Sequence, residues 1–235
     1  PSSQKKRKIL KILKSFLKIK MSHHKINHLP SLQLIGASAV GKSCIYKRST
    51  DPEWKFQYEV PVTIGVAKPA TKTYVIDGEQ FRVNVWDCGG QERFEVISKA
   101  FLKKADGCVL VYSVDDAKSF DCVSGWIEAV EDLKKTRTTG TFQVVLVANK
   151  IDLAQTRGFK NWKKKGEDLA KEYGCPFFLT SAKDNKGIEK MFEKAAEMMK
   201  RGIDIKHAEL KKNEELRKQD NDELGEEGGG CCMIL

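Results

Sequence analysis

Apolar positions between residues 31 and 200 follow two different periods. Short continuous apolar runs, typical of buried parallel strands, occupy residues 108–112, 144–148 and 177–179, and a further short run, interrupted only by Gln33, occupies residues 32–35. Stretches of helical period lie between and after them. Their apolar positions are Val123, Trp126, Ile127, Val130 and Leu133 in one stretch, and Ile188, Met191, Phe192, Ala195, Met198 and Met199 in another.

Two further runs, at residues 73–76 and 81–86, are separated by a turn signal. They flank Asp77-Gly78, a dipeptide that favours a tight hairpin between extended strands. Strands that alternate with helices of this length predict an α/β fold. We therefore expect a doubly wound, mostly parallel sheet with one antiparallel hairpin, flanked by helices.

The loop after the first predicted strand carries the strongest chemical signal. Residues 36–43 read Gly-Ala-Ser-Ala-Val-Gly-Lys-Ser and fit G-x-x-x-x-G-K-[ST], the phosphate-binding loop (P loop). Gly36 and Gly41 allow consecutive backbone N–H groups to point at a phosphate, at the positive end of the next helix. Lys42 is expected to reach the outer phosphates, and the Ser43 hydroxyl to coordinate Mg²⁺. This loop predicts a nucleoside triphosphate site on a P-loop sheet.

Three other polar segments follow predicted strands, where the ligands of such sheets bind. Asp87 is expected to hold Mg²⁺ through a water, and the Gly90 N–H to face a terminal phosphate. Asp152, in Asn149-Lys150-Ile151-Asp152, can accept from both N1–H and the exocyclic amine of guanine, which adenine does not offer. Ser181-Ala182-Lys183 adds a backbone N–H for the guanine O6. Together the segments predict a guanine nucleotide.

These residues resemble the Ras superfamily of small GTPases, and most of all its Rab branch. The resemblance covers about residues 32–200 and includes Thr63-Ile64-Gly65-Val66 and the run from Trp86 to Phe94, Trp-Asp-Cys-Gly-Gly-Gln-Glu-Arg-Phe. It implies that Thr63 belongs to the first switch segment and closes on Mg²⁺ and the γ-phosphate. It also implies that residues 87–99 form the second switch segment, in which Gln91 orients the attacking water.

In this family an aromatic residue seven positions before the switch threonine covers the guanine. Phe56 stands there, but the interval between Lys42 and Thr63 is longer than usual, so Trp54 and Tyr58 remain alternatives. The residues expected to contact nucleotide are Gly36, Ser38, Ala39, Val40, Gly41, Lys42, Ser43, Cys44, Phe56, Thr63, Gly90, Asn149, Lys150, Asp152, Ser181, Ala182 and Lys183. Ser43, Thr63 and, through water, Asp87 are the expected metal ligands, with Gln91 and Lys42 catalytic.

Several positions depart from the family pattern. Ser38 is usual for Rab proteins, whereas Ala39 replaces a typical Gly and Cys88 replaces a Thr. Ala67-Lys68 stands where Rab proteins have Asp-Phe and meet effectors. The change at Ala67-Lys68 leaves the expected nucleotide chemistry intact, but it means that effectors are not assigned from the family. Ala39 has no explanation at the level of sequence.

The charge of the chain is concentrated at one end. Its 235 residues have a formal net charge of +10, but residues 1–28 hold nine of the 42 cations and no acid, which leaves 33 cations against 32 anions. We expect residues 1–28 to form an arm, residues 29–201 a GTPase domain, and residues 202–235 a charged, flexible tail. No run of 18 apolar residues suggests a membrane span.

The N-terminal arm allows several interpretations. Its apolar residues between Ile9 and Leu17 have a helical period with lysines on the other face, as in helices that lie on anionic membranes. A disordered tail, a nuclear or mitochondrial address, or an extension upstream of Met21 are the alternatives. His24 and His28 lack a third ligand and are expected to be solvated.

The cysteines divide into two groups. Cys44, Cys88, Cys108, Cys122 and Cys175 lack metal-site spacing and are expected in or near the core of a protein from a reducing compartment. Cys232-Met233-Ile234-Leu235 fits the C-a-a-X motif with a terminal Leu, which favours geranylgeranylation. Adjacent Cys231 and Cys232 resemble Rab tails, which usually carry two prenyl groups; one or two groups remain open here.

These observations predict a membrane-tethered switch of Rab type. It would bind GTP, GDP and Mg²⁺ and hydrolyse GTP slowly, on the cytoplasmic face of an intracellular membrane, cycling with the cytosol and serving vesicle trafficking. The resemblance implies GAP, exchange-factor, escort and effector partners, and no nucleic acid. The alternatives are a non-hydrolysing, nucleotide-bound membrane scaffold and a P-loop ATPase or kinase.

Overall fold

The structure is a computed structural model that describes residues 29–137, 142–154 and 159–226. The strands are β1 Ser31–Ile35, β2 Ala70–Ile76, β3 Glu79–Asp87, β4 Gly107–Ser113, β5 Gln143–Asn149 and β6 Phe177–Leu179. The helices are α1 Lys42–Thr50, α2 Glu92–Leu102, α3 Ala117–Thr136, α4 Phe159–Glu172 and α5 Ile188–Glu226, with a 3₁₀ turn at Ile151–Leu153.

The strands form one sheet in the order β2-β3-β1-β4-β5-β6. All neighbours are parallel except β2 and β3, which pair antiparallel from Ala70↔Val85 to Ile76↔Glu79. The predicted doubly wound sheet with one hairpin is therefore confirmed. Asp77 and Gly78 turn the hairpin with φ values of 54° and 79°, the left-handed backbone that such a two-residue loop requires.

Helices cover both faces of the sheet. One core contains side chains of α1 and α5, including Ile45, Phe192 and Met199, against β1, β3 and β5. The other contains side chains of α2, α3 and α4, including Leu102 and Trp126, against β4 and β5. Because all strands except β2 run the same way, their carboxyl ends and the loops that follow lie along one edge of the sheet.

Two features of the periphery were not evident from the sequence. Helix α5 continues past Lys200 to Glu226, so it includes much of the segment expected to form the charged tail. Lysine, glutamate and leucine are strong helix formers, which favours a helix in this charged sequence. From Ile203 to Asn213 none of its residues is buried, so this part of α5 lies outside the core. Cys122 is exposed on α3, whereas Cys88 and Cys108 are buried as predicted.

Two helical glycines provide a matched test of packing. A Cβ at Gly166 in α4 would lie 2.1 Å from the buried Tyr112 hydroxyl and 2.7 Å from the Phe177 ring, whereas one at Gly125 in α3 meets nothing within 4 Å. We expect Gly166→Ala to lower the free energy of unfolding by about 1–3 kcal/mol, since overpacking outweighs helix propensity. Gly125→Ala should raise it by about 0.5–1 kcal/mol.

Urea unfolding at one fixed nucleotide concentration measures both changes, because ligand binding also shifts apparent stability. A stabilising Gly166→Ala would contradict the packing of α4 against β4.

Candidate functional site

One cavity of about 460 Å³ opens at the edge where the parallel strands end. Loops after β1, β3, β5 and β6 border it, together with the long segment between α1 and β2. Its lining residues are Ser38, Ala39, Gly41, Lys42, Ser43, Cys44, Phe56, Gln57, Tyr58, Val60, Pro61, Val62, Thr63, Cys88, Gly90, Asn149, Lys150, Asp152, Leu153, Ala182 and Lys183. The structure therefore brings together most residues that the sequence proposed.

The P loop needs its glycines for space as well as for backbone conformation. Gly36 has φ +132°, and a Cβ there would lie 2.1 Å from the Val111 carbonyl oxygen. Gly41 has φ +94°, and a Cβ there would lie 2.4 Å from Nδ2 of Asn149. Gly36 does not line the cavity; its position fixes how closely the loop packs on β4.

Ala39 also has a left-handed backbone, with φ 59°. An L-residue with a Cβ pays about 1–2 kcal/mol for this conformation, which glycine adopts without strain. The next residue, Val40, is fully buried and anchors the loop, and its carbonyl accepts a 2.8 Å hydrogen bond from Nδ2 of Asn149. The typical glycine at position 39 therefore has a clear physical reason, and this chain carries the strain.

Lys42 is only 5% exposed and points back along its own loop. Its Nζ donates to the carbonyl oxygens of Gly36, at 2.9 Å, and Ala37, at 2.6 Å. Burial lowers the pKa of Lys42 to about 8, although the nearby Asp87 opposes the shift. A Cβ at Gly90 would lie 2.2 Å from Nζ, so the loop after β3 approaches Lys42 closely because residue 90 is glycine.

Three side-chain oxygens gather beside Lys42. The hydroxyls of Ser43 and Thr63 are 2.9 Å apart, and Thr63 donates to Oδ2 of Asp87 at 2.8 Å. Asp87 is 4% exposed, and its Oδ1 has no hydrogen-bond partner within the part of the chain described. Burial raises the pKa of Asp87, against the opposing hydrogen bonds from Ser43 and Thr63.

This oxygen cluster fits Mg²⁺, which prefers hydroxyl, carboxylate and water oxygens. The unpartnered Asp87 oxygen supports the fit, since a buried carboxylate needs a compensating charge or hydrogen bond. His, Cys, Asp and Glu side chains form no cluster of three or more that could hold a metal ion among the described residues. Ser and Thr hydroxyls also bind Mg²⁺, and such clusters do not include them. The magnesium hypothesis therefore rests on the Ser43, Thr63 and Asp87 oxygens.

Two loops around this cluster are joined through their backbones. The Gly89 N–H donates to the Gly65 carbonyl at 2.7 Å, and the Ala67 N–H donates to the Asp87 carbonyl at 2.9 Å. A Cβ at Gly89 would lie 2.6 Å from the Thr63 carbonyl oxygen. Residues 63–67 and 87–89 thus form a narrow continuation of the β2–β3 hairpin. Gln91 follows as the N-cap of α2, outside the cavity lining.

The other end of the cavity is built by the loops after β5 and β6. Asn149 is buried, and its Oδ1 accepts from the Thr180 hydroxyl at 3.0 Å. The Ser181 hydroxyl donates to Oδ1 of Asp152 at 2.6 Å. Ser181 itself does not line the cavity, whereas Asp152 does. Lys150 has φ 64°, and its Nζ lies 3.4 Å from Asp115 Oδ1.

The aromatic candidates separate clearly. Phe56 and Tyr58 line the cavity with edge-to-face rings 5.2 Å apart, whereas Trp54 does not line it. Trp54 lies instead under the guanidinium of Arg48, 4.9 Å from its ring centroid. Of the three aromatic residues considered from the sequence, Phe56 and Tyr58 therefore lie at the cavity and Trp54 does not.

Sequence reasoning missed several lining residues. Gln57, Val60, Pro61, Val62 and Leu153 carry no motif, and the segment from 51 to 66 has no period that predicts its path. Cys88 lines the cavity as well, where burial raises its pKa to about 12. Only its place directly after Asp87 could have indicated it.

Other predicted features lie outside the described residues. These are the N-terminal arm of residues 1–28, with His24 and His28, and the C-terminal pair Cys231 and Cys232. Within the described ranges, no helix is both long and apolar enough to cross a membrane.

Comparison with known proteins identifies relatives over most of the chain. The Ras family model matches residues 31–201. Ras-related protein RABE1e of Arabidopsis thaliana is 36% identical over 177 residues, which cover 75% of this chain and 78% of the relative. GTP-binding protein yptV2 of Volvox carteri is 36% identical over 81% and 82% of the two chains, and human Ras-related protein Rab-15 is 35% identical over 82% and 84%.

The strain at Ala39 predicts a stabilising substitution. Ala39→Gly removes the left-handed penalty but adds entropy to the unfolded chain, so we expect the free energy of unfolding to rise by about 0.5–1 kcal/mol. Ala154→Gly is the control, because Ala154 has φ −59° and gains nothing from glycine; it should lose about as much stability. Thermal unfolding checks both, and equal effects of the two changes would contradict the strain.

Proposed function

The chain belongs to the Ras family as a Rab-like small GTPase, and on this premise we propose that its cavity binds GTP and GDP with Mg²⁺ as a switch. Members of this family bind guanine nucleotides and hydrolyse GTP to GDP and phosphate. One observation carries the assignment of residues: a single cavity is lined by Lys42 near one end and by Asp152 near the other.

The phosphate end supports charge neutralisation. The carbonyls of Gly36 and Ala37 hold the Lys42 ammonium within the P loop. From there it would act on the outer phosphates together with the backbone N–H groups of the loop. Ser43 and Thr63, with Asp87 through water, would hold Mg²⁺, which neutralises phosphate charge. Gly90 would present its N–H to the terminal phosphate.

Hydrolysis needs a water oriented in line with the terminal phosphate. Gln91, directly after Gly90, is the residue proposed to orient it. No residue is an obvious arginine finger supplied by the chain itself, so we expect slow turnover that a GAP arginine would raise by roughly 10³–10⁵-fold. Loss of the γ-phosphate would release Thr63 and the Gly90 segment, and effectors would distinguish the two states.

The base end supports selection of guanine. One carboxylate oxygen of Asp152 accepts from the Ser181 hydroxyl, and Asp152 lines the cavity. There its carboxylate can accept from the guanine N1–H and exocyclic amine. Phe56 or Tyr58 would cover the ring, and the loop of Ser181, Ala182 and Lys183 would meet O6. The remaining proposed contacts are Gly36, Ser38, Ala39, Val40, Gly41, Cys44, Asn149 and Lys150.

The relatives bear on the alternatives to a hydrolysing switch. A P-loop ATPase or kinase does not agree with membership of the Ras family. The comparisons also give no support to a non-hydrolysing scaffold. A hydrolysing switch therefore agrees best with the family of this chain.

Two substitutions test the two ends of the cavity. Asp152→Asn replaces an acceptor by a donor facing the guanine amine, so we expect GDP affinity to fall at least about 100-fold. Gln91→Leu removes the group proposed to orient water, and should slow single-turnover GTP hydrolysis by about 10–100-fold while GDP affinity stays unchanged. Fluorescent GDP displacement and phosphate release measure the two effects.

Exposed residues of the same types serve as controls. Asp168→Asn on α4 and Gln80→Leu on β3 should match the wild type in both assays. Displacement of bound GDP by ATP as effectively as by GTP would exclude the guanine assignment. Equal hydrolysis by wild type and Gln91→Leu would remove Gln91 from the mechanism.

We extend the proposal to the membrane and to the domain limits. Residues 29–201 would form the GTPase domain, and residues 202–235 would tether it through prenyl groups on Cys231 and Cys232. The arm of residues 1–28 would add a contact to anionic lipid. The likeness to proteins named as Rab proteins supports a place on the cytoplasmic face of an intracellular membrane. The protein would exchange with the cytosol, serve vesicle trafficking, and meet GAP, exchange-factor, escort and effector proteins.

Fractionation of cells that express tagged variants tests the tether. Cys231→Ser with Cys232→Ser should move most of the protein from membranes to cytosol. The arm of residues 1–28 would then be the remaining membrane contact, and a single weak signal anchors only marginally. Deletion of residues 1–20 should reduce membrane binding less. Each single Ser variant distinguishes one prenyl group from two. Membrane retention in both the double variant and the deletion would contradict the role given to the termini.

A further inference from the structure

Arg48 links two walls of the cavity that are far apart in sequence. From α1 its Nε donates to the Ala182 carbonyl at 3.1 Å and its Nη2 to the Lys183 carbonyl at 3.2 Å. Its Nη1 donates to the Trp54 carbonyl at 2.9 Å, in the segment that leads to Phe56. One planar guanidinium therefore holds the loop after β6 and the start of the segment between α1 and β2.

The Trp54 indole completes the same arrangement from outside the cavity. The Arg48 guanidinium lies 4.9 Å from its ring centroid, a cation–π contact. The Trp54 and Phe56 rings meet edge to face with centroids 6.1 Å apart. Because Trp54 does not line the cavity, its ring acts as a support behind Phe56.

Phe56 is also connected to the loop after β6, through Tyr58. Phe56 packs edge to face on Tyr58, and Nζ of Lys183 lies 5.3 Å from the Tyr58 ring centroid. The contacts therefore close into a ring, which we call the base-end ring. Its members are Arg48, Trp54, Phe56, Tyr58 and Lys183.

Two walls border this end of the cavity, and we expect a ligand bound between them to leave faster when one wall moves away from the other. The segment containing Phe56 and Tyr58 and the loop containing Ala182 and Lys183 both line the cavity. Motions of such loops commonly set the rate of ligand release. Resting on the function proposed above, we propose that Arg48 is a positioning residue that holds the base-end ring closed and thereby slows release of bound guanine nucleotide.

The contacts of residue 48 require the chemistry of arginine. Three donors of one rigid fork reach three carbonyls while the flat face of the guanidinium stacks on an indole. A lysine keeps the positive charge but has no planar fork for these directions. Arg48→Lys therefore separates geometry from charge, and also serves if Arg48→Ala does not fold.

The test measures dissociation of a fluorescent GDP analogue in the presence of Mg²⁺ and excess unlabelled GDP. We expect Arg48→Ala and Trp54→Ala each to accelerate release roughly tenfold, within the usual range of coupling between sites. Arg48→Lys should also accelerate it, whereas Trp54→Phe should restore most of the wild-type rate. The double variant Arg48→Ala/Trp54→Ala should be little faster than either single variant, because the two residues act in one ring.

Further measurements separate positioning from loss of stability. Arg82→Ala, on the exposed side of β3, and the destabilised Gly166→Ala should release the analogue at the wild-type rate. Wild-type release by Arg48→Ala, or equal acceleration by Gly166→Ala, would overturn the inference. A wild-type protein that retains no GDP would instead overturn the proposed function, and the inference with it.

Discussion

Burial of two opposite charges at one edge of the sheet is the constraint on which the cavity depends. Lys42 and Asp87 are the charged side chains that are buried in the described part of the chain. Isolated buried charges are costly, so each needs compensation from its surroundings. Lys42 obtains it from the carbonyls of Gly36 and Ala37, and Asp87 only partly, from the Thr63 hydroxyl. A phosphate and a divalent cation would complete the compensation of both.

The same constraint explains why glycines are concentrated around these groups. Side chains at Gly36 and Gly90 would collide with the Val111 carbonyl and the Lys42 ammonium, respectively. A side chain at Gly89 would separate Thr63 from the loop that carries Asp87. Close packing of backbone around the two charges therefore requires the absence of Cβ atoms at these positions. Ala39 shows the converse, a position with room for a methyl group and an unfavourable backbone.

The sheet and the polar ends of its strands were predictable from sequence because each depends on local pattern. Continuous apolar runs indicate buried parallel strands, and Asp77-Gly78 indicates the hairpin. Motifs such as Asn149-Lys150-Ile151-Asp152 lie at strand ends, which the topology brings to one edge. The path of residues 51–66 has no such pattern, so neither the choice between Trp54, Phe56 and Tyr58 nor the contacts of Arg48 could be derived. The length of α5 was missed because charged sequences of high helix propensity resemble linkers in composition.

A single segment connects the two ends of the cavity. It begins at Trp54, which Arg48 holds, and it ends at Thr63, which is bonded to Asp87 and touches Ser43. Its ends are thus held by different means: stacking and a guanidinium at the base end, and hydroxyl–carboxylate bonds at the phosphate end. Loss of the Thr63 contacts would free one end only, while the base-end ring keeps the other. Under the proposed function, this arrangement lets the segment respond to the γ-phosphate without releasing the base, since nucleotide state and nucleotide release depend on separate contacts.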